Sequence, residues 1–125
     1  MKTNDLEDRL ISFSVQITEI TNSLEQTKAG NHLSGQLIRS VTSVSLNYGE
    51  AQSGKSRKDF IHKMQIVLKE LRESLICIKI IRKAKLSKVE TSINIALKEC
   101  DELISIFVKS IETAKKNMEN HTSLI

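Results

Sequence analysis

The chain contains no proline and no tryptophan, and its 125 residues include only four glycines, two cysteines and 3% aromatic residues. Because proline and glycine are the residues that most often interrupt regular structure, their scarcity predicts long uninterrupted elements. Strand-favouring aromatic residues are nearly missing, whereas Leu, Ile, Lys, Glu and Ser are frequent. We therefore expect an all-α fold.

Other absences limit the class of protein. No apolar run approaches the roughly 18 residues of a membrane span, and the first residues lack the apolar core of a signal peptide. Cys77 and Cys100 lie inside predicted helices and do not form the spacing of a secreted disulfide framework. We expect both to be buried thiols of a cytoplasmic protein, with a disulfide between facing helices as the alternative.

Apolar residues recur every three or four positions along almost the whole chain, as in amphipathic helices. The pattern predicts helices over about 4–27, 32–53, 57–84 and 88–118, with residues 119–125 as a frayed tail. Four such helices joined by short turns can bury their apolar stripes only against one another. The chain is therefore predicted to be a single domain, 1–125, folded as an antiparallel up-down-up-down four-helix bundle.

Short polar signals mark the expected helix ends. Gly30 can adopt the left-handed conformation that often ends a helix, so we expect it to close the first helix. Ser56 with Asp59, and Ser87 with Glu90, match capping pairs at the starts of the third and fourth helices.

Four isoleucines do not fit the inner stripes of the third and fourth helices. Matched apolar pairs on two helices suggest a second contact surface. The candidate residues of a homo-oligomer interface are Ile66, Ile80, Ile95 and Ile106.

The net charge of +4 is unevenly distributed along the chain. Residues 55–85 carry ten lysines and arginines against three acidic residues, a balance of +7, whereas residues 1–27 have a balance of −3. The candidate nucleic-acid-binding residues are Lys55, Arg57, Lys58, Lys69, Arg72, Lys79 and Lys83. A solvated helix face is the simpler interpretation for one copy, but the same stripe repeated around a ring would create a positive field that binds phosphates without base specificity.

Polar residues follow one flank of the second helix and one flank of the third. We interpret them as a structural network in which Arg39 and Lys63 neutralise neighbouring carboxylates, because buried polar groups need partners. The predicted members are Arg39, Ser43, Asn47, Glu50, Asp59, Lys63 and Glu73.

A catalytic, metal-binding role for the carboxylates on this flank of the third helix has less support than the structural network. Asp59 and Glu70 are three helical turns apart, too far to hold one metal ion together, and Glu70 with Glu73 is a common helical spacing. The three histidines have no ligand spacing to one another or to a cysteine. We expect no enzymatic activity, no metal and no cofactor.

The same helices carry a family resemblance. The segment from Gln36 to Glu73, including Arg39, Ser40, Ser43, 47–51, 56, 59–63 and 68–74, resembles the four-helix-bundle family named for open reading frames inside intervening sequences of bacterial 23S ribosomal RNA genes. The resemblance extends more loosely over about 4–117. Many members have Ala where this chain has Gly49, and an aromatic residue where it has Ile76 or Cys77.

The resemblance implies a left-handed antiparallel four-helix bundle that assembles as a homopentameric ring. It also implies a distant similarity to the accessory proteins of diversity-generating retroelements, which are basic pentamers that bind nucleic acid and a reverse transcriptase. It implies no catalytic residues.

Three functions follow as hypotheses. The first is non-specific binding of RNA or DNA through the basic flank of the third helix. The second is a protein adaptor or scaffold, for example one that docks a polymerase-type partner. The third is a structural product without a strong ligand.

Overall fold

The structure is a computed structural model, which describes residues 3–54 and 56–123 of the chain and the side chains of 5–54 and 56–120. Four helices form within these ranges: α1, Thr3–Ser23; α2, Lys28–Gln52; α3, Arg57–Lys83; and α4, Glu90–Ser123. The described residues contain no strand. The predicted all-α fold with four helices is confirmed.

The apolar stripes of the four helices meet in one core. Each helix packs against the next one in the chain, and α1 packs against α4 to complete a four-helix bundle. Phe13, Leu37, Leu71 and Phe107 illustrate the four contributions, and all four are buried. Across the centre, the rings of Tyr48 and Phe107 pack edge to face with centroids 5.7 Å apart.

Polar contacts also join the neighbouring helices. The Arg9 guanidinium on α1 donates two hydrogen bonds to Glu99 on α4, at 2.8 and 2.7 Å, and a third to Glu102 at 3.0 Å. Ser14 on α1 and Ser45 on α2 share a hydrogen bond of 3.1 Å. These contacts fix how α1 sits in the bundle, because they hold it to a partner on each side.

The first turn differs from the prediction. α1 ends at Ser23 rather than near 27, and Gly30 lies in the first turn of α2 instead of closing α1. Thr27 caps α2, because its hydroxyl accepts a hydrogen bond of 3.0 Å from the Gly30 N–H. The expectation of a left-handed glycine was therefore wrong. Gly30 is required for space, since a Cβ there would collide with the backbone carbonyl of Glu25.

The other helix ends follow the prediction in part. Ser56 caps α3 by accepting a hydrogen bond of 3.1 Å from the Asp59 N–H, as predicted. Ser87 instead accepts from the N–H of Val89, at 3.1 Å, so α4 begins at Glu90 and not at 88. No proline or glycine follows residue 118. Accordingly α4 continues to Ser123, past the frayed tail expected from 119; the last two residues lie outside the described part.

The two cysteines are buried as free thiols, as predicted. The Cys100 thiol donates to the Leu71 carbonyl at 3.3 Å, and burial raises its pKa to about 12. Burial also raises the pKa of Cys77. Neither sulfur is activated as a nucleophile.

Candidate nucleic-acid interface

The basic residues of α3 lie on the side of the helix away from the core. Met64, Val67, Leu71 and Ile78 face inwards and are buried. The predicted phosphate-binding residues within α3 are all exposed: Arg57, Lys58, Lys69, Arg72, Lys79 and Lys83. Lys55 lies outside the described residues. We refer to the exposed set from Lys58 to Lys83 as the basic face of α3.

The cations of the basic face take no part in the ion pairs that the structure describes, although Lys69 acts electrostatically on the neighbouring Glu73 carboxyl. Among the described residues, ion pairs involve Arg9, Arg39 and Lys63, and none involves a member of the basic face. An exposed cation without a fixed partner keeps its charge available to a ligand. The structure therefore brings five cations to one surface in a form that an anion can approach.

Two shallow depressions lie along this surface, and sequence reasoning did not predict them. The first, of about 310 Å³, lies between α3 and α4 and is lined by Lys58, Ile61, His62, Gln65, Lys115, Met118 and Glu119. The second, of about 720 Å³, is lined by Gln36, Gln65, Leu68, Lys69, Arg72, Glu73, Ile76 and Cys77. Because Gln65 borders both, the depressions adjoin. We name them the Lys58 depression and the Arg72 depression.

The polar network between α2 and α3 is centred on Glu70, which the sequence had not assigned to it. Glu70 is only 7% exposed. It accepts hydrogen bonds from Arg39 at 3.1 and 3.4 Å, and Arg39 also approaches Glu73 at 3.6 Å. Arg39 is half exposed, so it closes the network from the solvent side.

The two carboxyl groups of this network differ in acidity. Burial favours the neutral form of Glu70, but hydrogen bonds with Glu73, Arg39 and Ser43 outweigh it and lower its pKa. The hydrogen bond to Glu70, together with burial, raises the pKa of Glu73. Glu70 is therefore the stronger acid of the two.

The other predicted network residues divide into separate contacts. Lys63 donates to Glu50 at 2.6 Å, which links α3 to α2. Asn47 donates to the backbone and side-chain oxygens of Ser43 on its own helix. Within the described residues, the carboxylate of Asp59 takes part in no ion pair, whereas its backbone N–H donates to the Ser56 hydroxyl.

These polar groups do not form a metal centre in the part of the chain that the structure describes, since no three His, Cys, Asp or Glu side chains are grouped to hold an ion. Glu70 is engaged by Arg39, and Asp59 lies at the start of α3. The arrangement is suited to joining two helices.

The four candidate interface isoleucines occupy different environments. Ile80 and Ile95 are exposed, at 46% and 55%. Ile66 is half-buried, and Ile106 is partly buried and packs against the core. Ile106 is thus in part a core residue, because it lies on the α1 side of α4, in line with Glu99 and Glu102.

Other exposed apolar residues were not singled out from the sequence. Ile11 and Val15 lie on α1, and Ile38 and Leu46 lie on α2. Leu46 is 65% exposed. The spacing of Ile11 and Val15, four residues apart and off the stripe of Leu10, Phe13 and Ile17, was the signal that could have identified them.

Comparison with known proteins places this bundle in a family. The family model described as 23S rRNA-intervening sequence protein matches residues 2–112. The chain belongs to this family. A crystal structure of a protein with unknown function from the S23 ribosomal protein family, from Bacteroides thetaiotaomicron VPI-5482, is similar to it. The two share 28% identity over 90% of this chain and 99% of the other, with a TM-score of 0.79.

The remaining comparisons add little. No curated protein shows significant similarity to the chain. Within the described ranges, none of the helices combines the length and the apolar character that crossing a bilayer requires.

Proposed function

We propose that the protein is a non-enzymatic cytoplasmic binding protein that holds RNA or DNA through the basic face of α3. The observation that carries the proposal is the set of five exposed cations, Lys58, Lys69, Arg72, Lys79 and Lys83, none of them paired with a described carboxylate. Arg57 would extend the face at one end, and Lys55, which lies outside the described residues, is proposed as a further contact from the sequence alone.

Contacts of this kind are made to phosphates, not to base edges. Lysine and arginine on a convex helix face neutralise phosphates and release their counterions, so binding falls steeply with salt. The expected interaction is therefore tolerant of sequence.

We further infer that the helices run antiparallel and that the protein assembles with itself. Arg39 pairs with Glu70 and Glu50 pairs with Lys63, an order expected for antiparallel neighbours. Ile80 and Ile95 lie on different edges of the bundle. On α3, Ile80 follows Glu73 by two turns and therefore lies on the side that faces α2. On α4, Ile95 precedes Glu99 by about one turn and therefore lies on the side that faces α1. Ile66 would support the first edge and Ile106 the second.

A contact between two different edges is heterologous, and copies joined in this way form a closed ring when the rotation from one copy to the next closes, or an open filament when it does not. The family resemblance favours a ring of five. Repeating the basic face around a ring would raise the apparent affinity for a long polyanion, because several weak contacts would act on one strand.

An adaptor function is the second candidate. The exposed apolar residues Ile11, Val15, Ile38 and Leu46 supply the specific observation, since they lie on α1 and α2 and leave α3 free. A partner such as a polymerase could bind there while nucleic acid occupies the basic face. Pull-down from the native host with Leu46→Glu as the control tests it; capture of the same proteins by both forms would argue against it.

The nucleic-acid proposal is tested by reversing charge on the basic face. Lys69→Glu with Arg72→Glu should weaken binding of a labelled RNA at least tenfold at low salt, measured by fluorescence anisotropy. Lys98→Glu with Lys109→Glu is the matched control, because it makes the same change in net charge at exposed positions of α4. Equal losses in both double variants would mean that net charge, and not the basic face, governs binding.

A further inference from the structure

The basic face of α3 is not uniformly polar. Ile76 lies within it and is 55% exposed, next to Lys69, Arg72 and Lys79. It lines the Arg72 depression with Leu68, while Ile61 and Met118 line the Lys58 depression. Both depressions therefore combine an apolar floor with a basic rim.

The two depressions form one track, since Gln65 borders both. From Lys58 to Ile76 the helix rises about 27 Å at ~1.5 Å per residue. The rim carries Lys58 and Lys115 at one end and Lys69 and Arg72 at the other. Each depression also contains one carboxylate, Glu119 and Glu73 respectively, so cations outnumber acids at both.

A duplex and a single strand would use such a track differently. A duplex keeps its bases stacked inside and offers phosphates and sugars, which reach the rim alone. A single strand can turn the faces of its bases towards the protein, and covering exposed apolar surface contributes about 25 cal/mol per Å². The aliphatic floors would replace the aromatic platforms that most single-strand-binding proteins use.

We propose that the outer surface of α3 binds single-stranded nucleic acid in preference to duplex, with bases over Ile76 and Met118 and phosphates on the surrounding cations. The proposal rests on the nucleic-acid function proposed above and names the form of its ligand. Charge complementarity selects a polyanion, and the apolar floors select one whose bases are accessible.

Electrostatics alone predicts no preference for the single strand. Duplex DNA carries one charge per ~1.7 Å of helix axis, so a purely ionic surface binds a duplex at least as well as a single strand of equal length. A preference for the single strand therefore requires a contribution beyond charge.

The test compares a labelled 12-nucleotide RNA strand with its duplex by fluorescence anisotropy at one salt concentration. The native protein should bind the single strand at least threefold more tightly. Ile76→Ser should weaken single-strand binding about three- to tenfold and leave duplex binding unchanged. Val15→Ser is the matched control, because Val15 is 53% exposed on α1, away from α3.

The outcomes separate the two proposals. Binding of neither RNA would overturn the nucleic-acid function and this inference together. Equal or tighter binding of the duplex, or an equal effect of Ile76→Ser on both ligands, would overturn this inference alone. Tighter binding of a 12-residue acidic peptide than of the single strand, with the same dependence on Ile76, would assign the track to a protein partner.

Discussion

Two glycines of α2 should respond in opposite ways to the same substitution. At Gly30, a Cβ would lie well inside van der Waals contact of the Glu25 carbonyl oxygen and 3.1 Å from the Thr27 hydroxyl that caps the helix. At Gly49, a Cβ would meet nothing within 4 Å. Only the first glycine is therefore required by the packing of the bundle.

The magnitudes follow from these surroundings. Glycine inside a helix destabilises it by about 0.5–1 kcal/mol relative to alanine, so Gly49→Ala should raise the free energy of unfolding by that amount. Gly30→Ala forces a backbone segment to move, which typically costs about 1–3 kcal/mol. The cost increases further if Glu25 moves, because its N–H donates to the Leu86 carbonyl at 3.3 Å. This hydrogen bond joins the α1–α2 turn to the α3–α4 turn.

Urea unfolding followed by circular dichroism at 222 nm measures both changes. The two midpoints should move in opposite directions from that of the native protein, with unchanged slopes. Gly35→Ala provides a second control, since a Cβ there also meets nothing within 4 Å. If Gly30→Ala stabilised the protein, the close approach of the Glu25 carbonyl to the start of α2 would be refuted.

Further predictions concern the polar network and the core. Glu70→Ala should lower the free energy of unfolding by about 1–3 kcal/mol, since it removes a buried hydrogen-bond acceptor, whereas Glu73→Ala should have a smaller effect in the same urea titration. Because folding raises the pKa of Glu73, this carboxyl group stabilises the protein at a pH below its pKa in the unfolded chain, and the stabilisation is lost as the pH rises through its pKa in the folded protein. Glu73→Gln should remove this loss, as measured by urea unfolding at several acidic pH values. Because folding lowers the pKa of Glu70, its effect on stability depends on pH in the opposite way. Its stabilisation is lost as the pH falls through its pKa in the folded protein. Phe107→Ala should cost about 3–5 kcal/mol, because the ring is fully buried against Tyr48. Cys100 should resist a thiol reagent at pH 8 in the native protein and react in urea, because burial raises its pKa to about 12.

Each of these expectations has a clear contrary result. Equal losses of unfolding free energy for Glu70→Ala and Glu73→Ala would contradict the conclusion that the network is centred on Glu70. A pH profile unchanged by Glu73→Gln would contradict the raised pKa of Glu73. A loss below about 1 kcal/mol for Phe107→Ala would indicate a loosely packed centre, and rapid labelling of Cys100 in the folded protein would indicate an open seam between α3 and α4.

Periodicity was sufficient to predict the four helices, because the stripes that include Leu10, Val41 and Leu103 each repeat over several turns. The cap at Ser56 was likewise readable, since capping depends on residues close in sequence. Thr27 was missed because Gly30 suggested a helix end, and the space that the glycine leaves for Glu25 is visible only once the turn is folded.

The polar contacts and depressions were harder to predict. Glu70 joined the network because the rotation of α3 about its axis points its side chain at Arg39, and that rotation is set by core packing across helices. Ile106 packs against the core for the same reason. The Lys58 depression requires Lys115 and Met118 of α4 to face the start of α3, which depends on the offset between two helices.

The salt dependence of single-stranded RNA binding tests the central claim most directly, because it counts the phosphates that the basic face of α3 neutralises. Each phosphate contact to a single strand contributes about 0.7 to the slope of log K against log salt concentration. The slope for Lys69→Glu with Arg72→Glu should be smaller in magnitude than that of the native protein by about 1.4, whereas the slope for Lys98→Glu with Lys109→Glu should match the native one. Identical slopes for all three proteins, or an affinity that does not depend on salt, would contradict the account.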